Sequence, residues 1–308
     1  MRAEWAATRC HGPAMKPREG PPVSTSSTPS SPRSPSSPSW SPSSRPSSAA
    51  DSGPVRVLDV STAAYRRAFE LFLAGTDEKA VTHAHLARLV SRLARRRVFL
   101  DVGAGEGATT AHLGRHFERA VALEPSAAMR EKLREVCPDA VVVAEPVDGV
   151  DLGEEADLVL LSHVLYYLPE DRWLPTLSRV LHWVAPGGTL LVMLQSPDNA
   201  CMRMVEHFTG TRFDLRPSVG RLEAREPEKV AGWSLETLDA RYRTDCFADA
   251  VDVAEFMVNV PGLPGLDPLP ARADLAAYVD RHFARPDGTY VIGHAHDVLC
   301  VRRAATAA

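Results

Sequence analysis

The sequence predicts an α/β protein: a doubly wound, mostly parallel seven-stranded sheet, N-terminal helices and a small capping region. Three observations predict it. Short continuous apolar runs alternate with helix-period segments after residue 97, as in strands buried on both faces. The first run ends in a glycine-rich turn that opens a helix. The chain has 308 residues and 44% apolar content, enough for a sizeable core.

The elements follow in order. Ser61 and Thr62 are placed to cap a helix over roughly 63–74, where Tyr65, Phe69 and Phe72 share one stripe. A second helix follows Thr76, from about Asp77 to Arg95. Strands are expected at Val98–Val102, Ala120–Glu124, Ala140–Ala144, Asp157–Ser162 and Thr189–Gln195. Between them lie helices at Ala108–Phe117, Ser126–Cys137 and Glu170–Val184, and the last strand follows the turn Pro186-Gly187-Gly188. Beyond Gln195 the alternation loosens. A short helix over Met202–Phe208 precedes an irregular polar stretch, 210–235. A strand near Arg241–Phe247, helices near 250–259 and 271–283, and a closing pair near Tyr290–Ile292 and Asp297–Val301 complete the chain. No internal repeat is present.

Composition divides the chain near residue 54. Pro21 to Pro54 holds 15 Ser and 9 Pro among 34 residues, with Trp40 the only large apolar side chain. Such a stretch buries too little surface to offset its ordering entropy, so 1–54 is expected to be a disordered tail. It carries six Lys or Arg against three acids; subtracted from the totals of 35 and 39, this leaves 29 against 36, or −7, for residues 55–308. That acidic balance argues against nucleic-acid binding. No apolar run approaches the roughly 18 residues of a spanning helix, and Met1 to Gly20 has no secretory core. The five cysteines are scattered and never paired as Cys-x-x-Cys, so the expectation is a cytoplasmic protein, monomeric or weakly dimeric, without metal. The folded part reads as a helical pocket segment (55–97), an α/β core (98–195), and a capping region with strands that complete the sheet (196–308).

The chemistry concentrates in Phe99-Leu100-Asp101-Val102-Gly103-Ala104-Gly105-Glu106-Gly107. A strand ends in an acid and then in Gly-x-Gly-x-Gly, where backbone turns tightly and approaches a ligand without side chains in the way. The next strand ends in Glu124, 23 residues after Asp101, where a carboxylate can accept both hydroxyls of a ribose. A tight structural turn, or a dinucleotide site, would share the glycines but not the acid at both strand ends. Together these features resemble motifs I and II of the class I S-adenosylmethionine-dependent methyltransferases. The resemblance implies S-adenosylmethionine as cofactor. It places Gly103 and Gly105 at the amino acid end, Asp101 at the ammonium, Glu124 at the ribose, Ser126 or Asp148 beside the adenine, and Ser162 at the end of the fourth strand nearby.

That fourth strand end reads Leu161-Ser162-His163-Val164-Leu165-Tyr166-Tyr167, without the Asn/Asp-Pro-Pro-Tyr/Phe quartet of enzymes that methylate base amines. Tyr65-x-x-x-Phe69-x-x-Phe72-Leu73 with Asp77-Glu78, Glu124-Pro125-Ser126, His163-x-Leu165-Tyr166-Tyr167 and Asp245-Cys246-Phe247 follow in an order and spacing similar to the histamine N-methyltransferase type, over roughly 62–303. The resemblance implies an amine-holding carboxylate at Glu78 and an aromatic pocket from Tyr65, Phe69, Tyr166, Tyr167 and Phe256. Two departures stand out: His163 replaces a glutamine, and His294 pairs with an asparagine. Two imidazoles, one carboxylate and several aromatic faces suit a small aromatic amine, with an imidazole nitrogen or an indole C3 or N as acceptor. His163 or His294 is then the candidate general base, with Glu78 and Tyr65 completing the catalytic set. Two alternatives stay open: a cofactor-retaining module without catalysis, and a methyltransferase acting on a macromolecule.

Overall fold

A computed structural model describes residues 53–59, 62–259 and 266–305. Residues 1–52 of the expected disordered tail, Trp40 among them, and the cap at Ser61 lie outside these residues; Gly53 and Pro54, expected in that tail, instead join the fold, where Pro54 bridges to Ala271. The chain divides between Asp51 and Ser52, two to three residues before the compositional boundary.

Helix α1 (Ala63–Gly75) starts where Thr62 Oγ1 accepts the Tyr65 N–H at 3.2 Å, and α2 (Glu78–Ser91) follows two residues later. Then come β1 (Val98–Val102), α3 (Ala108–Gly114), β2 (Arg119–Leu123), α4 (Ala127–Val136), β3 (Val141–Val143), β4 (Ala156–Ser162), α5 (Glu170–His182) and β5 (Val184–Gln195). The capping region contributes α6 (Ala200–Thr209), α7 (Arg216–Arg225), β6 (Val230–Leu238), β7 (Arg241–Thr244), α8 (Phe247–Asn259), α9 (Arg272–Phe283), β8 (Tyr290–Gly293) and β9 (His296–Arg303). No helix of the described residues is long and apolar enough to cross a membrane.

Seven strands form one sheet in the order β3-β2-β1-β4-β5-β9-β6. The five from β3 to β5 are parallel; β9 runs antiparallel to β5, and β6 antiparallel to β9. Residues 158–161 of β4 and 190–192 of β5 are at most 1% exposed, as their unbroken apolar runs require. The chain winds outward from β1 to β3 and then returns to place β4 on the other side of β1. The carboxyl ends of β1 and β4 therefore splay loops apart and open a crevice at this reversal.

Three expectations are corrected. The stretch 210–235 is not irregular: it supplies α7 and most of β6. That strand, Val-Ala-Gly-Trp-Ser-Leu-Glu-Thr-Leu, is polar and partly exposed because it is a sheet edge, with Trp233 47% exposed and a register shift between Val230 and Gly232. The segment at Arg241–Phe247 and its partner near Tyr290 do not join the main sheet; β7 and β8 pair as a separate two-stranded sheet. The first of these ends at Thr244, because Phe247 already begins α8. Finally, α2 stops at Ser91, ahead of the basic cluster Arg95-Arg96-Arg97.

The small sheet fixes the N-terminal helices. Thr76 bridges to Tyr242, and Asp77 Oδ1 accepts the Arg241 N–H at 2.7 Å. Gly75 is needed there: a Cβ would stand 2.3 Å from the Tyr242 ring and 2.9 Å from the Arg243 carbonyl. An extended strap, residues 53–59, then runs back over the end of α8. Its Arg56 N–H donates to Glu255 Oε1 at 2.7 Å and its Leu58 N–H to Asn259 Oδ1 at 2.7 Å. Glu255 is fully buried, and the guanidinium groups of Arg56 and Arg272 neutralise it. Such a carboxylate tolerates burial only with its partners in place. Strap, α1 and α8 thus form one wall above the crevice.

Candidate active site

The crevice continues into a single cavity of about 650 Å³, within the ~300–1,000 Å³ typical of ligand pockets. All fifteen residues expected at the site from sequence line it. They fall into two ends.

At one end, β1 carries Asp101 into the turn. Gly103 (φ 77°) and Gly105 (φ 57°) take left-handed conformations that side-chain-bearing residues rarely adopt. A Cβ on Gly103 would also stand 2.3 Å from Val164 Cγ2. Glu124 follows β2, and its two oxygens are held separately: Oε2 accepts the Gly105 N–H and Oε1 the Ser126 N–H, both at 2.8 Å. Each oxygen keeps a second acceptor position. Ser126 precedes α4 without a side-chain capping bond, Asp148 lies 4.0 Å from Arg172, and the Ser162 hydroxyl rests 3.8 Å from Met193 Sδ.

Asp101 is 2% exposed and accepts the Thr110 hydroxyl at 2.6 Å. Burial pushes its carboxyl up to about 6, with Thr110 opposing. The unliganded protein therefore holds a proton there below pH 6 and releases it above. The ammonium that the resemblance places at Asp101 would favour the released form, so S-adenosylhomocysteine affinity is expected to rise from pH 5 to 6 and flatten by pH 7. Calorimetry across that window checks this, and Asp101→Asn should flatten the profile.

At the other end stands an aromatic cage. Tyr65 meets Phe256 edge-on at 5.4 Å between centroids, Phe69 lies 5.9 Å and Phe72 5.6 Å from the same ring, and Tyr166 packs on Phe213 at 5.1 Å. The Tyr65 and Tyr167 hydroxyls approach to 3.4 Å across the cavity, and Tyr167 is 56% exposed at its mouth. Burial raises the Tyr65 phenol, so it stays protonated.

A polar cluster sits beneath the cage. Glu78 begins α2 and is 7% exposed, yet its carboxylate accepts no hydrogen bond from the described residues. His163 Nε2 lies 3.6 Å from Glu78 Oε1, and His296 Nε2 lies 3.9 Å from Oε2. His294 Nδ1 is 3.2 Å from His296 Nε2, and its own Nε2 is 2.8 Å from the Thr76 hydroxyl. His163 adopts φ 59°, a strained conformation for a residue with a side chain. That turn swings its ring off the end of β4, with Nδ1 3.1 Å from the Tyr166 hydroxyl and Nε2 shielded and unpartnered. Burial lowers all three imidazoles, His294 and His296 to about 4, with Glu78 opposing, so they are neutral at pH 7. Burial alone raises the Glu78 carboxyl, but in acid, where the imidazoles of His296 and His163 carry their protons, those charges outweigh it and hold the carboxyl below the usual range.

His296 is the member that sequence reasoning missed. It stands two residues from His294, on the same side of an extended segment, and that spacing was the available signal. Phe213 and Lys79 also line the cavity without having been expected there.

The strand order and the crevice at its reversal define a class I S-adenosylmethionine-dependent methyltransferase. The chain belongs to the methyltransferase domain family, whose profile matches residues 77–241, more than half of its length. The residues present fit the cofactor: a side-chain-free turn, a doubly anchored carboxylate beside it and a buried acid at the strand end. A methyltransferase candidate from Bacillus halodurans C-125 is 13% identical over 72% of this chain and 100% of its own, with a TM-score of 0.51. The N-methyltransferase NodS from Bradyrhizobium japonicum WM9, solved with S-adenosyl-L-homocysteine, is 16% identical over 79% of this chain and 99% of its own, with a TM-score of 0.47. At these identities the likeness is one of fold. No curated protein matches the sequence.

Proposed function

We propose that the protein methylates a small heteroaromatic amine, at an imidazole nitrogen or at C3 or N of an indole derived from tryptophan. The observation that carries this reading is a buried carboxylate that accepts no hydrogen bond from the described residues, flanked by two imidazoles under an aromatic cage. When bound, S-adenosylmethionine supplies an electrophilic methyl group on its sulfonium. Gly103, Gly105, Asp101 and Glu124 hold it at one end, with Ser126, Asp148 and Ser162 alongside.

The acceptor occupies the other end. Glu78 takes its ammonium, and Tyr65, Phe69, Tyr166, Tyr167 and Phe256 sandwich its ring. Holding two reactants in line inside a closed cavity can recover roughly 7–11 kcal/mol of the barrier. The ring gives up one proton on methylation, whether from a methylated imidazole or from indole N1 after attack through C3. Nε2 of His163, neutral and unpartnered, is placed to accept that proton. His294 orients the polar wall through His296 and Thr76. This arrangement is similar to the histamine N-methyltransferase type, with imidazoles where that family has amides.

Labelled cofactor incubated with imidazoles, tryptamines and cyclic tryptophan dipeptides tests the proposal, and a labelled amine product supports it. Cofactor binding without methyl release across the panel would favour a binding module instead. His163→Ala is expected to lower turnover about 10²- to 10⁴-fold, the usual contribution of a general base, and to leave S-adenosylhomocysteine affinity unchanged. Unchanged turnover would remove His163 from the mechanism.

A further inference from the structure

The polar cluster has a second chemistry. Glu78, His163 and His296 each offer one ligand atom, and the three atoms lie within 4.8 Å of one another. Metal–nitrogen and metal–oxygen distances of ~2.0–2.2 Å put two ligands of one ion roughly 3–3.5 Å apart. The edge from His163 Nε2 to Glu78 Oε1, 3.6 Å, is already close to that range, and His296 Nε2 lies 3.9 Å from the other oxygen, Oε2. The two imidazole rings meet edge-on with their centroids 4.8 Å apart.

The groups are also prepared for a cation. His163 Nε2 is shielded from solvent and has no partner. Its ring is fixed from behind by Tyr166, whose hydroxyl accepts the Gln195 N–H at 2.7 Å, an outer contact of the kind that orients metal ligands. The carboxylate is buried and accepts no hydrogen bond from the described residues. Two imidazoles and one carboxylate suit zinc, cobalt, nickel or iron, whereas magnesium and calcium require more oxygen ligands.

We propose that Glu78, His163 and His296 bind one first-row transition-metal dication, in competition with the methyl acceptor. The ion would take the carboxylate assigned to the ammonium and the nitrogen assigned to the ring proton. It would therefore inhibit methyl transfer competitively with the acceptor and leave the cofactor end, 103–107 and Glu124, untouched. The inhibition rests on the proposed function; the binding does not.

Full-length protein, stripped with chelator and loaded with S-adenosylhomocysteine, is titrated with cobalt(II) by visible absorption and with zinc(II) by calorimetry. The expected result is one equivalent with ligand-field absorption, weakened about 100-fold by Glu78→Gln and by His296→Gln. His83→Gln, at the stacked His83–His112 pair, should leave uptake unchanged. X-ray absorption of the zinc-loaded wild-type protein should show two imidazoles and a carboxylate, which reads the site even where a variant misfolds. Absence of stoichiometric uptake, uptake lost in His83→Gln, or an all-oxygen or sulfur shell would overturn the proposal. A protein that takes up cobalt but methylates no amine removes the proposed function and keeps the metal site; an amine methyltransferase without metal uptake does the reverse.

Discussion

Glu78→Gln is expected to lower kcat/KM for an amine acceptor about 10²- to 10³-fold, mostly through KM, with S-adenosylhomocysteine affinity unchanged. The size follows from burial. Glu78 is 7% exposed and accepts no hydrogen bond from the described residues, so an ammonium there would be its only strong partner. Removing one member of a buried, hydrogen-bonded charge pair costs roughly 2–5 kcal/mol. Glutamine keeps the shape and removes the charge, so packing loss does not confound the result. Glu78→Asp withdraws the carboxylate by one methylene and should recover part of the activity. The cofactor serves as internal control, because its proposed anchors sit on the loops after β1 and β2 and Glu78 begins α2. Equal kcat/KM in wild type and Glu78→Gln, measured with an acceptor that carries an ammonium, would sink the assignment.

The α/β core was legible because its strands are buried on both faces and so read as unbroken apolar runs. Leu158-Val159-Leu160-Leu161 has no polar residue to confuse with an edge, and β1, β2 and β4 fell within a residue or so of their positions. The edge strand β6 was hidden for the opposite reason. One side of it faces no neighbouring strand, so its residues satisfy solvent as much as the sheet, and its first six read as the end of a polar stretch. No composition rule assigns β7 and β8 to their own sheet, since pairing partners 49 or so residues apart are set by tertiary contacts. At the site, the local signals sufficed for the cofactor end, where Asp101, the glycines and Glu124 lie on adjacent strands. The polar wall draws on three separate segments, Thr76–Glu78, His163 and His294–His296. Its fifth member, His296, opens β9 one residue before the expected strand Asp297–Val301, and only its spacing from His294 marks it.

Loss of the Glu124 carboxylate should be the most damaging change at the cofactor end: Glu124→Ala is expected to raise the dissociation constant of S-adenosylhomocysteine about 10²- to 10³-fold. Two hydrogen bonds from a ribose to a charged acceptor, at roughly 1.5–3 kcal/mol each before the exchange with water is completed by loop ordering, supply that range. The carboxylate also ties the loops together, through Gly105 and Ser126. Those two roles separate with a second substitution and a second ligand. Glu124→Gln retains the volume but turns an amide N–H₂ toward one of two backbone donors, so it should bind nearly as weakly as Ala. A 2′-deoxy analogue of S-adenosylhomocysteine should lose affinity for the wild-type protein, and lose little further in Glu124→Ala, because the contact it lacks is already gone. If the analogue and the substitution instead weaken binding additively, the carboxylate acts by holding the loops and the ribose is gripped elsewhere. Calorimetry of the four combinations decides between a residue that touches the sugar and one that shapes the turn around it.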